Sequence, residues 1–182
     1  LPGDEGLDEE AAKARGTAIH LLLEHLPGLA RDRWQQAAEA LLPDLPDPER
    51  DDILAEATGV LTAPALAPIF AADALTEVPV SAPLGPRRLH GVIDRLIVAA
   101  DHVLVVDYKS NATVPTGAAD CPEALLRQMG AYAVALDQVF PGKRIDTAIL
   151  WTRSATLMPL PRDLVAAALA RAGRLDEIPS DS

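Results

Sequence analysis

The chain of 182 residues is 49% hydrophobic and 24% charged, enough for one well-filled core and short for two. Its formal net charge of −11 sets it against unaided binding to a polyanion, and aromatics at 3% supply no stacking platform for a single nucleic-acid strand. Cys121, the single cysteine, excludes an internal disulfide and any zinc or iron–sulfur site built from several cysteines of this chain.

The longest apolar runs, residues 96–100 and 103–106, fall far below the roughly 20 residues that span a bilayer. The acidic start lacks the basic opening of a signal peptide, so a soluble, cytoplasmic chain without membrane contact is expected. Leu1-Pro2-Gly3 carries no initiator methionine and runs at once into an acidic helical segment, which reads as a piece of a longer polypeptide.

In chain order, residues 7–26 predict a helix whose acidic first turn suits the macrodipole and which Pro27-Gly28 stops. Residues 34–42 and 48–61 predict two more helices, with Asp47-Pro48-Glu49 offering an N-cap, a proline at the first helical position and an acidic start. Residues 75–82 turn extended, Pro83-Leu84-Gly85-Pro86 predicts a turn, and a strand follows over 88–99. Ala100-Asp101 then closes a hairpin onto 102–109.

Residues 110–122, with Pro115, Gly117 and Pro122, read as a loop over a site. Leu125, Met129, Tyr132 and Leu136 recur at helical spacing from Glu123 onward, with Gln128 and Tyr132 on one face, and Pro141-Gly142 ends that helix. Two strands, 145–152 and 156–160, precede a last helix from 162 to about 172 that Gly173 can terminate. There is no internal repeat or low-complexity tract. The order predicts an α/β fold with a mixed β-sheet flanked by helices, as one domain over 1–182 made of a helical segment (1–74) and a sheet core (75–182).

The candidate chemistry sits in the central hairpin. Asp94 and Asp107 lie at a spacing that brings two carboxylates together across two strands, and Asp107 and Lys109 share a strand face. Lys109 is one of only three lysines, with Lys13 and Lys143. Two hard oxygen ligands at the edge of an apolar sheet suit Mg²⁺ or Mn²⁺. A lone Asp-Tyr-Lys after a strand is ordinarily a solvated strand end; Gly91-Val92-Ile93-Asp94-Arg95 at hairpin distance reverses that expectation.

His25, His90 and His102 lack such context and read as structural. Glu77, on the strand before the hairpin, is placed where it could approach a metal, but a surface carboxylate beside an edge-strand proline is the preferred reading and it stays outside the catalytic set; Trp34 and Trp151 read as core or interface aromatics. No glycine-rich strand-to-helix turn is present to cradle nucleotide phosphates.

Four motifs in order, Gly16-Thr17-Ala18-Ile19-His20, Gly91-Val92-Ile93-Asp94-Arg95, Asp107-Tyr108-Lys109-Ser110 and Gln128-Met129-Gly130-Ala131-Tyr132, carry a resemblance. The chain resembles the RecB-like nucleases of the PD-(D/E)XK superfamily, most closely the C-terminal nuclease domain of the AddA subunit of AddAB helicase-nucleases. The resemblance implies a restriction-endonuclease-like fold in which His20, Asp94 and Asp107 ligate Mg²⁺, with Mn²⁺ able to substitute, helped by the backbone carbonyl of Tyr108. It implies that Lys109 orients or activates the attacking water, and that Gln128 and Tyr132 complete the catalytic set by supporting the site or the DNA backbone.

Some relatives, including the AddB partner, carry four cysteines for an iron–sulfur cluster; Cys121 alone implies none here and points to AddA. By the same resemblance the expected activity is exonucleolytic cleavage of DNA in double-strand break repair by homologous recombination, in the bacterial cytoplasm. The expected partners are helicase domains that deliver a single strand and an AddB-type subunit, with the ATPase motor elsewhere in the parent chain. A stand-alone RecB-like exonuclease and a non-catalytic nuclease-like interaction module stay open as alternatives, the intact Asp94, Asp107 and Lys109 arguing against the second.

Overall fold

In the computed structural model the backbone is described for residues 4–176 and side chains for residues 9–86 and 88–172. The expectation drawn from Leu1-Pro2-Gly3 lies outside the described residues. The chain forms two compact units that interleave in sequence. One takes the chain up to Ala74 with Tyr108–Val114 and Leu150–Leu157, the other Leu75–Asp107 with Pro115–Ile149 and the chain from Met158 onward.

The first unit is built on three helices, α1 (Asp4–His25), α2 (Trp34–Leu41) and α3 (Asp47–Thr62). Ala18, Ile19, Leu22 and Leu23 form the buried stripe of α1, and Ile53, Leu54, Ala57 and Val60 that of α3, each at helical spacing. Complete burial of a leucine such as Leu22 contributes about 1.5–3 kcal/mol. Arg15 of α1 holds α3 through Asp52 at 2.6 Å and Glu56 at 2.7 Å.

The indole N–H of Trp34 donates to the carbonyls of Leu26 and Leu29 at 3.1 and 3.2 Å. This half-buried ring therefore ties down the turn that Pro27-Gly28 imposes after α1, rather than filling the core. The N-cap expected at Asp47 is corrected: Asp47 is inside α3, the cap position is Pro46, and no side chain caps it. Proline has no side-chain oxygen to offer, and the Asp47 carboxylate is engaged instead by Arg50 one turn on.

The second unit carries most of a five-stranded sheet of order β1-β2-β3-β4-β5, with β1 Leu75–Leu84, β2 Arg87–Val98, β3 His102–Lys109, β4 Arg144–Trp151 and β5 Thr156–Leu160. The first three strands are an antiparallel meander. Its turns are two residues each, Gly85-Pro86 with Gly85 at φ 59° and Ala100-Asp101. The turn at 83–86 is thus tighter than the composition suggests, because Pro83 and Leu84 still pair with Arg88 and Arg87.

After the loop, α4 (Glu123–Val139) crosses back and the amide of Arg144 bonds the carbonyl of Asp101, so β4 starts beside the start of β3 and runs parallel to it. The sheet is mixed, as expected. The final helix, α5 (Arg162–Asp176), runs through Gly173 instead of ending there. Glycine marks a helix end only where the backbone turns left-handed, and in α5 it stays in the helical run. Among the described residues no single helix is long and apolar enough to cross a membrane.

Candidate functional site

The β1–β2 register pairs Thr76 with Arg95 and Val78 with Ile93, so Glu77 stands opposite Asp94. Glu77 has φ 48°, a left-handed conformation that a non-glycine residue adopts at a cost of about 1–2 kcal/mol. Its carboxylate and that of Asp94 offer oxygens within 4.8 Å of one another. The β2–β3 register pairs Arg95 with Val106, and continuing it by one residue places Asp107 opposite Asp94. Residues directly opposite in a ladder project from the same face, so the register aligns Glu77, Asp94 and Asp107 in one row across three adjacent strands.

Asp94 and Asp107 are only 9% and 5% exposed. The Asp94 and Glu77 carboxylates are close enough to repel one another, and a divalent cation cancels that repulsion with the hard oxygen ligands it prefers; Asp107, opposite Asp94 by register, is not in that mutually close group. On sequence alone Glu77 reads as a surface carboxylate. The signal that could have found it is the two-residue turn at Gly85-Pro86: counting back from it in register leads from Asp94 to Glu77.

The fourth motif supports the second. Gln128 of α4 donates its amide N–H to the Tyr132 hydroxyl at 3.0 Å, and that hydroxyl donates to the carbonyl of Val92 at 3.0 Å. Tyr132 is buried, and a Cβ added to Gly91 would meet its hydroxyl at 2.7 Å. The glycine of one motif is thus the clearance for the tyrosine of another, and together they fix the β2 backbone two residues before Asp94.

The first and third motifs meet in the same way within the helical unit. The Tyr108 ring packs edge-to-face on His20 at a centroid separation of 5.4 Å and, tilted, on Phe70 at 6.2 Å. A Cβ on Gly16 would lie 3.2 Å from the Ser110 hydroxyl oxygen, so glycine there lets the chain leaving β3 approach α1 closely. Between these segments lies a cleft of about 390 Å³ lined by Lys13, Gly16, Thr17 and His20 on one wall and Tyr108, Lys109, Ser110 and Asn111 on the other.

Thr152, buried just after β4, hydrogen bonds to Glu56 at 2.5 Å and lies 3.3 Å from the Lys109 carbonyl, and Arg153 donates to the carbonyl of Ser110 at 3.1 Å. Nothing in the sequence marked Thr152, Arg153 or Glu56, since their partners lie 43 to 96 residues away. His102 contacts Asp101 at 2.8 Å and His25 lies 3.7 Å from Glu24, surface contacts outside the cleft.

A family model described as the PD-(D/E)XK nuclease superfamily matches residues 2–169. The chain belongs to that superfamily. No curated protein matches the chain. PD-(D/E)XK nucleases use divalent metals, and the donor chemistry here fits one: buried aspartates on neighbouring strands, a glutamate opposite the first, and Lys109 two residues beyond the second on the same strand. The restriction-endonuclease-like reading agrees with a mixed sheet flanked by helices.

Proposed function

We propose that this PD-(D/E)XK domain is a Mg²⁺-dependent deoxyribonuclease that hydrolyses, from an end, a single DNA strand delivered by helicase domains during recombinational repair of double-strand breaks. The observation that carries the reading is the carboxylate row on β1–β3 with Lys109 two residues beyond Asp107. In this reading Asp94 and Asp107 hold the metal, with His20 and the Tyr108 backbone carbonyl as further ligands. A bound divalent metal neutralises the phosphodiester and lowers the pKa of water.

The Lys109 ammonium orients the attacking water by hydrogen bonding and stabilises the charge that develops as oxygen adds to phosphorus. The P–O bond to the 3′ carbon's oxygen breaks, and that oxygen leaves with a proton. Tyr132 and Gln128 hold the β2 backbone so that Asp94 keeps its place. The acidity of the chain supports delivery by other domains, since a net charge of −11 repels the substrate. An AddB-type subunit is the partner this reading implies.

The test is cleavage of end-labelled and circular single-stranded DNA with Mg²⁺ or Mn²⁺. Expected are metal-dependent shortening of the linear strand, sparing of the circle, and loss of cleavage in Asp107→Ala and Lys109→Ala. Wild-type cleavage by Asp107→Ala would refute the site assignment.

A further inference from the structure

The cleft on α1 has no carboxylate in its lining, in a chain with 27 acidic residues against 16 lysines and arginines. Two of the three lysines line it. Lys13 and Thr17 lie on the α1 face that carries His20, each one turn from the next at the spacing that stacks side chains along a helix. Facing them are the Ser110 hydroxyl and the Asn111 amide, brought near by the absence of a side chain at Gly16.

Arg15, two residues beyond Lys13, is committed to Asp52 and Glu56, while among the described residues Lys13 makes no ion pair. Its exposed ammonium therefore adds positive charge to a cleft whose other polar groups are hydroxyls, an amide, His20 and Lys109. An ammonium with neutral donors around it is chemistry for a phosphate oxygen. A second cleft shares Lys13, Ser110 and Asn111 and continues to Arg153; Glu9 and Glu10, one helical turn before Lys13, also line it.

We propose that this cleft is a subsite for a backbone phosphodiester of the nucleic-acid strand, with Lys13 as its cation and Ser110 and Asn111 as its neutral hydrogen-bonding groups. Lys109 and His20 line the same cleft, so Lys13 engages the strand beside the groups that the nuclease reading uses. The inference rests on the nuclease reading above and names a binding contact that reading lacks.

The experiment measures binding of fluorescent single-stranded oligonucleotides by anisotropy across a salt series in Ca²⁺, and KM for cleavage in Mg²⁺, for the wild type, Lys13→Ala and Lys13→Arg. Expected for Lys13→Ala are a roughly tenfold rise in Kd and KM and a salt slope shallower by about 0.7. The loss should be equal for two unlike sequences and for 5′-phosphorylated and 5′-hydroxyl ends, and Lys13→Arg should restore it. A protein that cuts DNA but whose Lys13→Ala variant keeps the wild-type KM and salt slope overturns the subsite alone. Loss confined to 5′-phosphorylated strands also overturns it, since the contact would then be to a terminal phosphate. A wild type that neither binds nor cuts DNA overturns the nuclease reading and the subsite with it.

Discussion

Glu77 shows how much a single backbone angle can say. A glutamate at φ 48° near the start of an edge strand is strained, and such strain persists where surrounding structure holds a side chain to a task. The task consistent with its place opposite Asp94 is to lend a carboxylate to the cation. Calorimetric titration of the DNA-free protein with Mn²⁺ should therefore show affinity falling roughly tenfold or more in Glu77→Gln. The variant should keep its fold, because the side chain is exposed and the change is isosteric. Unchanged Mn²⁺ affinity in a folded Glu77→Gln protein would return Glu77 to the role of a surface carboxylate.

Among the elements, α4 and α5 approach closely at Gly130. A Cβ on Gly130 would meet the Val165 carbonyl oxygen at 2.4 Å, a backbone atom that cannot rotate away. Gly130→Ala must push α5 off α4, and overpacking of this kind costs about 2 kcal/mol. A thermal melt should read that as a fall in Tm of about 4–8 °C; an unshifted Tm would mean the helices can separate freely. Gly130 lies within the same five residues as Gln128 and Tyr132, so one helical segment serves both packing and site support. This bears on what the sequence could reveal. The strands and helices were legible because their apolar residues recur at periods of 2 and 3.6, and Asp94, Asp107 and Lys109 because the hairpin turn at Ala100-Asp101 fixes their register. Glu77 was hidden because the preceding turn looked four residues wide, which left the β1 register open. Gly173 misled because glycine can sit in a helix as well as end one. The hold of Thr152 and Glu56 beside Lys109 was invisible, since only long-range contacts create it.

For the whole molecule, the governing quantity is the imbalance of 27 acidic against 16 basic side chains. Long-range repulsion of a polyanion and a local cluster of lysines act on different length scales. Above the Debye length, about 8 Å at physiological salt, the first is screened, while contacts within the cleft survive. With only a few cationic groups in the cleft to favour it, affinity for single-stranded DNA should be weak, with Kd about 10 µM or higher at physiological salt. Its salt slope should correspond to only a few phosphate contacts, fewer than the 6–10 of a protein that grips DNA by itself. Nanomolar binding at physiological salt would contradict this and remove the argument that other domains must deliver the strand. Tethering the strand near the cleft, for instance by fusing a non-specific single-strand-binding module to the chain, should raise the cleavage rate at low substrate concentration without changing the rate at saturation, because in the proposed reading the deficit lies in capture while the carboxylates and Lys109 carry the chemistry.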